Sequence, residues 1–170
     1  MKKILFLIIL NIVVCGLAKS QIYNVPRNSN TIFIKSDSVS VQQIKNKLIL
    51  LGYTIENETP TNIKTNMNWQ YKEIYKTQIV ADLLRLDSGE YWAFKILIDN
   101  SYMANAYSSA FSGISTSGQT FIYNSIAKSP TSKTGKVFGS LMKLVFTLNP
   151  QMTFSIADSK GWWKYDISKF

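Results

Sequence analysis

Residues 77–98 read TQIVADLLRLDSGEYWAFKILI, two apolar-rich runs joined at Asp87-Ser88-Gly89. A short loop carrying a glycine fit for positive φ, set between β-branched and aromatic runs, is a hairpin signal. Residues 77–86 and 90–98 are therefore expected to pair as antiparallel strands. Strand alternation puts Trp92, Phe94, Ile96 and Ile98 on one side and Tyr91, Ala93, Lys95 and Leu97 on the other. The apolar face is expected to pack under a helix.

Working upstream, Ile63–Tyr71 reads IKTNMNWQY, with apolar, aromatic or Thr residues at odd positions and Lys, Asn or Gln at even ones. Such a period of two predicts one nine-residue strand with a packed and a wet face. Before it, Ser40-Val41-Gln42-Gln43 has the form of a capping box. Val41, Ile44, Leu48 and Leu51 recur at helical spacing, and Gly52 can take the left-handed conformation that ends a helix. TIFIK at 31–35 and Tyr53-Thr54-Ile55 read as strands, Thr59-Pro60-Thr61 as a turn, and QIYNVPRNSN at 21–30 as a polar lead-in.

The run TIFIKSDSVSVQQIKNKLILLGYTIEN, followed by IKTNMNWQY, resembles small exported or lipoprotein domains of bacterial envelopes with TATA-binding-protein-like or helix-grip folds. In these a strand and a helix precede a three- or four-stranded meander. The resemblance covers about half of residues 21–170 and implies a fold class, not an activity.

Downstream lies a Ser/Thr/Gly-rich segment at 100–130, without charge from Asn100 to Ala127. Residues 113–119 read as a loop between arms at 107–111 and 121–123, a further hairpin or a mobile stretch. Thr131 or Ser132 can cap a second helix with Val137, Leu141, Leu144 and Leu148 on one stripe, stopping at Asn149-Pro150. MTFSIA at 152–157 and GWWKYDI at 161–167 read as a closing strand pair or an extended tail. The expected fold of residues 21–170 is a single α+β domain, a two-layer sandwich with helices on one face of an antiparallel meander sheet. The order is β-α-β-β-β-β, a variable segment, α and short β.

Residues 1–20, MKKILFLIILNIVVCGLAKS, carry Lys2 and Lys3 ahead of an apolar run from Ile4 to Cys15 broken by Asn11. That is the form of a secretion signal, and the run is short of the roughly 20 residues a spanning helix needs. Cleavage fits before Lys19 or between Ser20 and Gln21, and the second frame is preferred. Acylation of Cys15 is the lesser alternative, because Ile12, Val13 and Val14 crowd the site where small residues are needed. The expected product is exported, periplasmic or secreted, with no stable transmembrane segment after processing. Its net charge falls from +9 to +6 on losing Lys2, Lys3 and Lys19.

That product has no cysteine, and the chain has no histidine at all. Thiolate nucleophiles, Ser-His-Asp triads and imidazole or thiolate metal sites are thereby excluded, and no cofactor or metal is expected. The spread-out lysines, with few arginines, argue against nucleic acid as a partner. Ser125-Ile126-Ala127-Lys128 and Lys133-Thr134-Gly135 echo penicillin-binding motifs but stand too close together in too short a chain. Gly113 to Gly118 misses the nucleophile-elbow spacing, and Pro130 stands where a phosphate loop needs its first glycine. Asp82 with Asp87 or Glu90 could meet across the hairpin as an acid/base pair, and Glu56 and Glu58 alternate along a strand.

The remaining cluster is Trp162-Trp163-Lys164-Tyr165. Neighbouring tryptophans on a strand face opposite ways, so one can join the core while the other is exposed beside Lys164. These four residues are the candidate ligand or partner contact. The expected function is a non-catalytic binding or assembly module with an envelope protein or glycan as partner. A small carboxylate-dependent glycan or peptidoglycan hydrolase is the alternative.

Overall fold

The computed structural model describes residues 21–70, 75–99, 122–124, 126–155 and 161–170. The signal reading of residues 1–20, with Cys15 and Ser20, lies outside the described residues, as does the segment 100–121.

The 77–98 hairpin is the centre of the main sheet. β6 (Tyr75–Leu86) and β7 (Gly89–Asp99) pair antiparallel from Lys76 opposite Asp99 to Leu86 opposite Gly89. The turn shrinks to Asp87-Ser88, and Gly89, at φ +126°, already belongs to β7. Trp92, Phe94, Ile96 and Ile98 are buried, as the alternation requires, and the Trp92 indole donates to the Val39 carbonyl at 3.1 Å.

β2 (Ile32–Lys35), β3 (Ile55–Thr59), β4 (Asn62–Thr65) and β9 (Thr153–Phe154) complete the sheet path, in the order β3-β4-β6-β7-β2-β9. β5 (Asn68–Gln70) lies along β6, and β8 (Ile122–Asn124) lies along β7. All pairings are antiparallel. Residues 63–70 of the expected single strand thus belong to two strands, and Tyr71 lies outside the described residues. Lys64 stands opposite Val80 but Asn68 opposite Thr77, so three residues of this strand oppose two of β6. Thr65 bridges the irregularity: its hydroxyl accepts from Ile79 N at 3.0 Å and its carbonyl from the Gln78 amide at 2.7 Å. A bulge of this kind bends and twists the strand.

Two helices cover one sheet face. α1 (Val41–Leu50) starts at Ser40, where both halves of the capping box form, and buries Ile44 and Leu48. It ends with Gly52 at φ +83°, Tyr53 N bonded to Leu48 O and Gly52 N to Ile49 O, a Schellman closure. Leu51, expected on the buried stripe, is instead 48 % exposed, because the chain reverses there. α2 (Lys133–Leu148) is capped by Ser132, whose hydroxyl accepts from Gly135 N at 3.0 Å. The α+β two-layer sandwich expected from the sequence is the observed architecture.

Two further corrections concern the ends. Residues 21–30 are not merely a lead-in: β1 (Ile22–Pro26) pairs antiparallel with β10 (Trp162–Asp166) in a separate two-stranded sheet. β9 and β10 therefore do not form a closing pair: β9 joins β2, and β10 joins β1. This ribbon clasps the helix layer, with Tyr165 edge-on to Phe138 of α2 and Tyr23 edge-on to Phe146. Pressed from two sides, α2 is buried at Val137, Phe138, Leu141, Met142, Leu144 and Val145, about half of its circumference. One continuous core joins sheet, helices and ribbon, and every described element falls within residues 21–170.

Candidate functional site

Of the four residues expected to form a contact surface, β10 presents two. Residues two apart on a strand share a face. Trp162, 61 % exposed, and Lys164 point outward, whereas Trp163 and Tyr165 point in. The Trp163 ring is half-buried and carries the Arg27 guanidinium 4.5 Å from its centroid, a cation–π contact that fastens the β1–β2 connection. Tyr165 is wholly buried, and its hydroxyl donates to the Lys128 carbonyl at 2.7 Å. Burial pushes the Tyr165 phenol far above its ordinary value of 10.0. Tyr165 is therefore a core residue, not a contact residue.

Lys164 opens onto a groove of about 710 Å³ between β10 and the first turns of α2, where Lys136, Lys169 and Asp166 also stand. Asp166 is engaged locally: its carboxylate accepts from Ser168 N at 3.1 Å and Ser168 Oγ at 2.7 Å, with Lys169 at 3.8 Å. Ser140 and Phe170 form the saddle to a second hollow of about 320 Å³ between α1, α2 and β6. Its floor is Tyr53, Ile79, Leu141 and Leu144, and its rim carries Lys47 and Lys143. The Lys143 ammonium donates to the main-chain oxygen of Phe170. Burial raises the Tyr53 phenol above its usual range, and the Thr77 hydroxyl beside it partly offsets this. Across both hollows, Lys47, Lys136, Lys143, Lys164 and Lys169 stand with a single acidic side chain, Asp166. The arrangement suits anionic ligands.

The carboxylates weighed as an acid/base pair lie at the hairpin and on its strand β6. Asp82 accepts from the Asn62 amide at 2.6 Å, Glu90 stands opposite Arg85, and Asp87 lies in the turn. Glu58 pairs with Lys45 at 2.6 Å, and Glu56 with Lys64 at 3.1 Å and the Gln78 amide at 2.8 Å. Among the described residues no group of three His, Cys, Asp or Glu side chains is placed to hold a metal. Lys133-Thr134-Gly135 forms the first turn of α2, not a cleft-lining strand. Ser125 and residues 113–118 lie outside the described residues.

Sequence reasoning missed the groove although one signal for it was present. Lys136, Ser140, Lys143 and Thr147 recur at helical spacing, opposite the apolar stripe of α2, and this polar stripe is what lines the two hollows. Lys47 and Lys164 reach the same surface from elements remote in sequence, which periodicity cannot reveal. Among the described residues no helix is long and apolar enough to cross a membrane. The chain matches no protein-family model, no curated protein and no solved structure.

Proposed function

We propose that the chain is an exported bacterial envelope protein, processed at Ser20–Gln21, that acts as a non-catalytic binding module for an acidic glycan. One observation carries this reading: Trp162 and Lys164 share the outward face of β10, and Lys164 continues into the groove shared with Lys136 and Lys169. An exposed indole offers a stacking platform for a sugar ring, and a cation two residues along meets a carboxylate or phosphate on it. The basic balance of the chain and the resemblance of residues 31–71 to exported envelope domains support the compartment.

Titration of residues 21–170 with oligogalacturonate, followed by calorimetry, tests the reading. Binding is expected to weaken with salt and to be absent for neutral dextran. Trp162→Ala and Lys164→Gln should each lower affinity about tenfold, the equivalent of ~1.4 kcal/mol, with melting unchanged because both side chains are exposed. Equal affinity of both variants and the parent protein would refute it.

A further inference from the structure

The C-terminal turn of α1 exposes three consecutive apolar residues. Ile49 is 50 %, Leu50 81 % and Leu51 48 % exposed, whereas apolar side chains at a helix end ordinarily turn inward or give way to polar ones. Leu51 also lines the hollow between α1 and α2, so the exposed corner and the apolar floor form one continuous surface. No acidic side chain lines that hollow, and Lys47 and Lys143 stand at its mouth, Lys143 donating to the main-chain oxygen of Phe170.

We propose that this corner docks on an anionic phospholipid bilayer, with Ile49, Leu50 and Leu51 entering the headgroup boundary and Lys47 meeting a lipid phosphate. Two features select a bilayer over a protein partner. A leucine four-fifths exposed at a helix end is a protrusion, which enters a deformable apolar phase without needing a matching pocket. Lys47 beside it carries a long aliphatic stem that lies along apolar surface while the ammonium stays at headgroup level. Apolar insertion and electrostatic attraction together make up interfacial binding. At about 320 Å³ the hollow is at the low end of ligand pockets, roughly 300–1,000 Å³, enough to receive part of one acyl chain. This surface meets the groove beside Lys164 only at Ser140 and Phe170, and different side chains carry the two proposals.

Flotation of residues 21–170 with vesicles of equal parts phosphatidylglycerol and phosphatidylcholine tests it, against vesicles of phosphatidylcholine alone. Partitioning onto the anionic vesicles is expected to be at least about tenfold stronger. Leu50→Asp and Lys47→Gln should each reduce it several-fold. Leu84→Asp, which alters an exposed leucine at the far end of the hairpin, should leave it unchanged. A polarity-sensitive dye on Leu50→Cys, in a stretch with no other cysteine, should shift to the blue only with anionic vesicles. Parental binding by Leu50→Asp, or an unshifted dye, overturns the proposal. So does a concentration-dependent dimer that Leu50→Asp abolishes, which would assign the corner to self-association.

Discussion

Gly135 sits where a Cβ would overlap the carbonyl of Ser129, a backbone atom held in turn by the Ser132 hydroxyl at 2.7 Å. Gly139 is also closely packed, but what fills its missing side chain is the ring of Phe170. The two sites separate backbone from side-chain crowding within one helix. Gly135→Ala is expected to cost about 3 kcal/mol, the upper end of overpacking, because the Ser129–Ser132 turn cannot retreat without undoing the cap of α2. Gly139→Ala should cost about 1 kcal/mol, since an aromatic ring can swing away. Urea denaturation of the two variants checks the order, and equal costs would mean the turn is softer than its hydrogen bonds suggest. Neither role was legible in the sequence. In a helix, glycine reads as a weakness, and Lys-Thr-Gly reads as a borrowed catalytic motif. The close neighbours that explain it, Ser129 and Phe170, become visible only when the chain is folded.

Elements were legible where their physics is local. The capping box at Ser40, the left-handed Gly52 and the 77–98 hairpin each involve partners a few residues apart, and each formed as read. β1 was missed because its partner is β10, at the other end of the described chain, and nothing in IYNVP announces that pairing. The bulge at Thr65 was missed for a related reason: an uninterrupted alternation hides a slip that only the facing strand exposes. Tyr165 makes the consequence of β10 measurable. Its phenol stays protonated in the fold well above 10.0, while the unfolded chain releases that proton near 10. Above that pH the unfolded state binds fewer protons than the native one, so the contribution of Tyr165 to stability is constant below about pH 10 and falls as pH rises beyond it. One such group contributes at most about 1.4 kcal/mol per pH unit. Tyr165→Phe should lose about 1 kcal/mol at neutral pH, with its hydrogen bond to Lys128 gone, yet lose stability less steeply above pH 10. Tyr53 and Tyr23, raised in the same direction by burial, keep the variant from becoming flat. Thermal melts across pH 8–12 read the slope, and parallel curves for the two proteins would place Tyr165 outside the core.

For the molecule as a whole, the sandwich could be read from alternating and helical periods, but the clasp that closes it could not, and the lysine-ringed groove depends on that clasp. Lys164 and Lys169 reach α2 only because β10 is held against β1, so ribbon pairing and site geometry are one property. The pairing can be locked and measured. Asn24 stands opposite Lys164, both exposed, and opposed residues of antiparallel strands have Cα atoms about 4.5 or 5.5 Å apart, within disulfide range in either case. In residues 21–170, which lack cysteine, Asn24→Cys with Lys164→Cys should oxidise readily and close a loop of nearly the whole described chain. Loops that long are restrained most in the unfolded state, so the oxidised form is expected to gain about 3–4 kcal/mol over its reduced form. For a domain of this size that is roughly a 6–15 °C rise in melting temperature. The same pair shifted by one residue, Asn24→Cys with Trp163→Cys, should form poorly, because it would require strand slippage and would remove the ring beneath Arg27. Efficient closure of the shifted pair, or no gain from the aligned one, would show that the ribbon does not hold the register on which the groove is built.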